Sequence, residues 1–292
     1  VSVFDGRGNP LWKSSTGNSP NESSFPVFHA DTLFFSGPAV FKALSADTGK
    51  ELFQWKLENP QRHYFGRRVA FFDSEGIYPT NDSLQVFNTE TGTVLREFPL
   101  SQGSRMSPAL YDGSIVIVDQ IGNLLYIDPK TGEVQGTVET EAAQPIGSPI
   151  RILGDTGFFV GKEGIIVAVD LPSRSILWQE SASEYGAGTV SAELTAGGSG
   201  LFFYSRERIF SVHSDSGREV FAVIENVSCP PVYSNGRLYF GTFDKSVREI
   251  SESNGKELRT IDINAVASCA GSTEDGKILF GTEDGKIVVI NP

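Results

Sequence analysis

The chain is predicted to be all-β: a single β-propeller of four-stranded antiparallel blades, seven of them. Three observations predict this. A strand–turn–strand phrase recurs about every forty residues, the period of one propeller blade. Its turn carries a glycine, at Gly8, Gly49, Gly92, Gly132, Gly217 and Gly255, at intervals of 38 to 43 residues with one doubled interval. No stretch has a 3.6-residue apolar period long enough for a helix.

The elements follow in order. The phrase itself reads as the third and fourth strands of each unit. It runs from Val3 to Trp12, Lys42 to Phe53, Gln85 to Leu95, Leu125 to Val134, Val167 to Trp178, Ile209 to Phe221 and Val247 to Leu258. Glycine suits the turn because it accepts the positive φ of a tight antiparallel connection. In the copy hidden by the doubled interval, Arg174 stands at the glycine place. Ahead of each phrase lies a short strand, often led by Ser-Pro as at Ser107-Pro108 and Ser148-Pro149. An apolar second strand follows, such as Ile115–Val118 or Leu238–Phe240, joined to it by Asp-Gly or Asn-Gly as at Asp112-Gly113 and Asn235-Gly236. Four short strands per unit bury too little alone. Stacked blades bury both sheet faces, which accounts for the continuous apolar runs of the central strands.

Six copies are complete, from about Phe25 to Asn264, and strands at the two termini supply a seventh, removing exposed sheet edges. Val1–Phe4 and Ile287–Ile290 both read as third strands, one more than seven blades need. Either the first residues are displaced or add an extra strand, or a longer chain has eight blades.

The phrase Ala-x-Asp-x-x-Thr-Gly, with an aromatic four residues after the glycine, resembles the pyrroloquinoline-quinone-type propeller repeat. That family holds quinoprotein dehydrogenases and non-catalytic relatives, among them outer-membrane assembly propeller lipoproteins. Trp12 and Trp178 stand at the aromatic place, Phe53 and Phe221 substitute for Trp, and Arg96, Gly136 and Arg259 occupy it elsewhere. The resemblance implies that these aromatics pack between neighbouring blades, and that blade contacts are uneven where they are lost. It speaks strongly for fold and weakly for chemistry.

A chain of 292 residues with net charge −12 is expected as one closed β-domain, and its charge argues against nucleic acid or an anionic membrane as main partner. No apolar run approaches the roughly 18 residues of a spanning helix. The chain begins with Val, so a signal or lipid anchor would lie upstream. One basic cluster, Arg62, His63, Arg67 and Arg68, falls in a connection between copies, at a channel mouth in propeller register. Either it holds a carboxylate or phosphate, or its arginines pair with neighbouring acids. The connections 59–68, 101–106 and 183–189 are the candidate contact loops. The last carries Glu184 and Tyr185 before flexible glycines.

Cys229 and Cys269 are one repeat apart and precede equivalent inner strands. They are candidate channel thiols, and free, partly buried thiols are favoured over a disulfide, which needs Cα atoms within about 7 Å. Neither they nor His29, His63 and His213 form a metal or catalytic constellation.

Three functions compete. The reading favoured is a non-enzymatic scaffold that docks other proteins through its loops and channel mouth, as a monomer. Against it stand a sensor binding a small anion or cofactor in the channel, and a compact dehydrogenase using pyrroloquinoline quinone. Quinone enzymes of the family use long insertions for a catalytic Asp, calcium ligands and a Trp floor. No residue here matches that set, so no cofactor is expected, and an extracytoplasmic location follows from the resemblance alone.

Overall fold

A computed structural model of the chain describes residues 2–4, 10–14, 26–36, 40–56, 68–144, 150–161, 164–181, 194–205, 207–273 and 276–292. The described residues form strands and turns and no helix. The fold class is the seven-bladed β-propeller that the repeat predicts. The chain divides into two compact units, Val1–Ile150 and Arg151–Pro292.

The first unit opens with a two-stranded sheet, β1 (Ser2–Phe4) and β2 (Pro10–Lys13). Three blades follow: β3 (Val27–His29), β4 (Thr32–Ser36), β5 (Val40–Ser45) and β6 (Glu51–Lys56); β7 (Ala70–Phe72), β8 (Glu75–Pro79), β9 (Ser83–Asn88) and β10 (Val94–Pro99); β11 (Ala109–Tyr111), β12 (Ser114–Val118), β13 (Leu124–Ile127) and β14 (Val134–Val138). The second unit has three more: β15 (Arg151–Leu153), β16 (Thr156–Val160), β17 (Ile165–Asp170) and β18 (Ser175–Ser181); β19 (Thr195–Gly197), β20 (Gly200–Tyr204), β21 (Arg208–His213) and β22 (Glu219–Ile224); β23 (Val232–Ser234), β24 (Arg237–Gly241), β25 (Ser246–Ser251) and β26 (Glu257–Asp262). It ends in a three-stranded sheet, β27 (Ala267–Ser272), β28 (Ile278–Thr282) and β29 (Ile287–Ile290). Every strand pairs antiparallel with its sequence neighbour. Both third-strand sequences form strands, Ser2–Phe4 in the two-stranded sheet and Ile287–Ile290 in the three-stranded one.

Within each unit the first strands of successive blades approach one another, β7 to β11 and β15 to β19 to β23 to β27, so they are innermost. The second and third strands are largely apolar and are buried between blades. Phe34, Phe41 and Ala43 of one blade pack on Tyr78 and Phe87 of the next. Phe158, Ile166 and Ala168 pack on Leu201, Phe203 and Phe210, and further layers of this kind follow.

The fourth strand is built around a bulge. In every complete blade its pairing with the third strand slips by one residue, leaving Leu52, Leu95, Gln135, Leu177, Val220 or Leu258 without a partner across the ladder. Leu11 is skipped in the same way between β1 and β2. This explains why Leu11, Leu52, Leu95, Leu177 and Leu258 are exposed at the periphery. A bulge also re-aims the side chain beside it. That next residue is the aromatic of the repeat, and it is laid on the turn glycine of the following blade. Trp12 covers Gly49, Phe53 covers Gly92, Trp178 covers Gly217 and Phe221 covers Gly255. The Trp12 indole N–H donates to Ala46 O at 2.6 Å and that of Trp178 to Ser214 O at 3.0 Å.

The turn under each ring is closed by the glycine N–H donating to the carbonyl four residues earlier, as from Gly132 to Asp128 at 2.9 Å. The Asp of the phrase accepts from the same turn: Asp128 Oδ1 receives the N–H of Lys130 at 2.7 Å and of Thr131 at 2.9 Å. Asn88 does the same work for Thr91, and Asp170 for Ser173. At Gly92 and Gly132 the phrase is thus an Asx-capped turn under a ring, whereas at Gly49 the capping place is Ser45, whose hydroxyl accepts from Thr48 N–H at 3.3 Å.

These contacts generate three predictions. Trp178→Ala should lower stability by about 3–5 kcal/mol, read from urea midpoints, because the ring belongs to the packed layer between two blades. Gly217 and Gly113 both have positive φ, so alanine at either should cost about 1–2 kcal/mol. A Cβ at Gly217 would also lie 2.7 Å from the Trp178 ring, whereas one at Gly113 meets nothing within 4 Å. Gly217→Ala should therefore be the worse by about 1–3 kcal/mol. The Thr131 and Lys130 N–H groups hold the Asp128 carboxyl below its ordinary value. Such a group stabilises the fold above the ordinary carboxyl pKa, near 4, and ceases to as pH falls through its lowered value. Asp128→Asn should flatten the loss of stability between about pH 5 and pH 2.

Candidate functional site

The loops that join second to third strands, and those that carry the chain from one blade to the next, lie at one end of the blades and are sewn together by main-chain hydrogen bonds. In the first unit Leu100 N–H donates to Asp82 O, Ser104 N–H to Asn81 O, Gln120 N–H to Gly103 O and Gln144 N–H to Gln120 O, at 2.7–3.1 Å. In the second unit Glu225 N–H donates to Glu207 O, Phe243 N–H to Asn226 O, Ile263 N–H to Lys245 O and Glu283 N–H to Val266 O, at 2.9–3.0 Å. The connection 101–106, a candidate contact loop, takes part in this lacing, with Ser101 and Gln102 exposed. Its Ser104 is fully buried, and the Ser104 hydroxyl donates to Val118 O at 2.6 Å.

Each unit's laced loops carry exposed apolar tips: Ile121 (53% exposed) in the first unit, and Ile224 (75%) and Phe243 (40%) in the second. Ile224 ends β22, and the Phe243 main chain is bonded to Asn226, two residues on from Ile224. Charge flanks the pair. Arg248 bonds Asp244 at 2.8 Å and lies 3.9 Å from Glu225. Ser246 and Thr242 hydroxyls hold the Asp244 carboxyl below its usual range. Sequence reasoning passed over these tips. For Ile121 and Phe243 the local signal was an apolar residue in an otherwise polar turn, and Ile224, at a strand end, gave none.

Among the residues singled out from sequence, Arg62, His63, Arg67, Glu184 and Tyr185 lie outside the described residues. Arg68 leads into the inner strand β7, and its main-chain N–H donates to Ser107 Oγ of the next blade at 2.7 Å. Trp12, Phe53, Trp178 and Phe221 are the rings of the blade contacts. Cys229 and Cys269 are both free and occupy equivalent places, beside Gly241 and Gly281, but their surroundings differ. Cys229 is fully buried in a layer with Tyr239, Ala267 and Phe280, its sulfur accepting from Gly241 N–H at 3.3 Å, whereas Cys269 is exposed. A buried and an exposed thiol replace the two partly buried ones expected. His29 stacks on Phe71 at 4.1 Å, and no group of metal-ligating side chains forms among the described residues.

Two of the three places that lack the aromatic hold arginine. Arg96 pairs with Glu75, and Phe98, two residues on, covers Gly132 in its stead. Beside Arg96 an open cleft of about 400 Å³ is lined by Phe72, Asp73, Ser74, Glu75 and Lys130. Its two acids and two bases balance, so it selects no sign of charge. Arg259, at the third such place, pairs with Glu249 at 2.8 Å.

Comparison with known proteins follows this geometry. The chain is similar to outer membrane protein assembly factor BamB of Shewanella oneidensis, 25% identical over 280 residues, which is 88% of this chain and 68% of the relative. It is 28% identical to that of Alkalilimnicola ehrlichii over 49% of this chain and 38% of the relative. With that of Pseudomonas aeruginosa the identity is 31% over 30% and 23%. The crystal structure of BamB from Moraxella catarrhalis shares the fold, with a TM-score of 0.76 and 13% identity over 97% of this chain and 86% of that one. The family model described as outer membrane protein assembly factor BamB matches residues 1–161 and 162–292, so the chain belongs to that family of propellers.

Proposed function

We propose that this protein is a non-enzymatic scaffold that docks other proteins during outer-membrane protein assembly, outside the cytoplasm. The observation that carries the reading is the rim. Main-chain bonds fix its loops in advance, so little ordering is lost on binding, and its exposed apolar tips suit protein contact. The family relationship supplies the process, because the relatives are named for outer membrane protein assembly.

The tryptophans support a reading without quinone. Trp12, Trp55 and Trp178 are the three in the chain, and their indole N–H groups are spent on Ala46, Gly92 and Ser214 carbonyls. Each braces the outer strand against the next turn rather than flooring a cofactor. Addition of pyrroloquinoline quinone with calcium should leave their fluorescence unchanged.

The rim is tested in a bacterium deleted for its own copy of this protein. The wild-type chain should restore the level of folded outer-membrane β-barrels. Ile224→Glu combined with Phe243→Glu should not, although the variant accumulates and unfolds in urea like wild type. Full restoration by this variant would remove the rim from the docking surface.

A further inference from the structure

We propose that Arg237 and Arg259 form a preorganised carboxylate site that receives an aspartate or glutamate side chain of a docked protein; this rests on the docking reading. Both belong to one blade of the second unit. Arg237 opens β24, Glu249 lies on β25 and Arg259 on β26, with Glu249 directly opposite Arg259 in the ladder. The Glu249 side chain is only 2% exposed. Its two oxygens are divided between the guanidiniums, Oε1 accepting from Arg237 Nη1 and Oε2 from Arg259 Nε at 2.8 Å. The arginines themselves are 47% and 46% exposed.

Stability alone does not account for this arrangement. Burying a carboxylate costs several kcal/mol, and apolar replacements commonly do as well or better. An aromatic occupies the place of Arg259 in four other copies. The Arg96–Glu75 pair shows what simple replacement of that ring gives: one arginine, one glutamate, no net charge. Here two arginines share one buried acid, leaving one positive charge in excess on a chain of net charge −12. Each guanidinium has five N–H donors in a rigid fork, and binding to Glu249 orients the fork while leaving donors over. A buried residue that locks the rotamers of exposed recognition groups is how a rigid binding site is supported. The bidentate geometry of a carboxylate matches such a fork.

The test follows the Nε–Hε resonances of both arginines in the ¹⁵N-labelled full chain during titration with acetyl-Glu-Glu-amide, with inorganic phosphate as comparison. Both resonances should shift saturably with the peptide. Arg237→Lys and Arg259→Lys keep the charge but lose the fork, and each should weaken binding at least tenfold. Glu249→Gln separates positioning from charge. By charge alone the variant, one unit more positive, binds the peptide more tightly; by positioning it binds about tenfold more weakly, which is the expected result. Unmoved resonances, tighter binding by Glu249→Gln, or a response to phosphate without one to the peptide would overturn the proposal. The docking reading is tested separately at Ile224 and Phe243, so either can fail alone.

Discussion

A ring laid flat on a glycine of the next blade is the contact on which this architecture depends. At Trp12, Phe53, Trp178 and Phe221 a bulge beside the ring aims it at the glycine, and at Gly132 Phe98 covers the glycine from two residues further along its strand. The glycine can receive the ring only because it has no Cβ, and it can close its turn because it accepts a positive φ. The glycine N–H closes its turn on the carbonyl four residues earlier, and at Asn88 and Asp128 an Asx side chain caps the turn as well. Bulge, turn and ring therefore form one device repeated along the chain. Its spacing is the blade-to-blade distance written as a sequence period.

Once the device sets the pitch, the apolar central strands interdigitate and bury both faces of each sheet. The exposed leucines of the outer strands are a by-product, since they are the residues that the bulge expels. They need no partner to explain them. Substitutions within the device are compensated locally. Phe98 takes over the glycine that Arg96 leaves uncovered, and Arg96 finds Glu75. Arg259 is answered differently, by a buried Glu249 that also holds Arg237.

Function is left to what the sheets do not consume. The apolar side chains of the central strands are committed to blade contacts, and the tryptophans to the neighbouring turns. What remains is the end of the blades where connections and loops are laced by main-chain bonds, and the few charges whose pairing is not one to one. A surface of this kind suits recognition of shape and charge at low entropic cost, as the proposed docking role requires.

The all-β class, the period, the turn glycines and the aromatic places were legible in the chain, because each is a local demand: a positive φ, an alternating strand, a ring at a constant offset from its turn. The site was barely legible. Ile121, Ile224 and Phe243 are ordinary apolar residues until the loops around them are bonded into a rim, and Glu249 is an ordinary acid until β24 and β26 close over it. Cys229 and Cys269 hold the same place in the repeat, yet Ala267 of β27 packs in one layer with Cys229, whereas Cys269, on β27 itself, is exposed. Sequence by itself determined what each residue must do within its own turn and strand. Burial, exposure and charge pairing were decided only by tertiary structure, because they depend on the neighbouring blade, whose side chains lie some forty residues away.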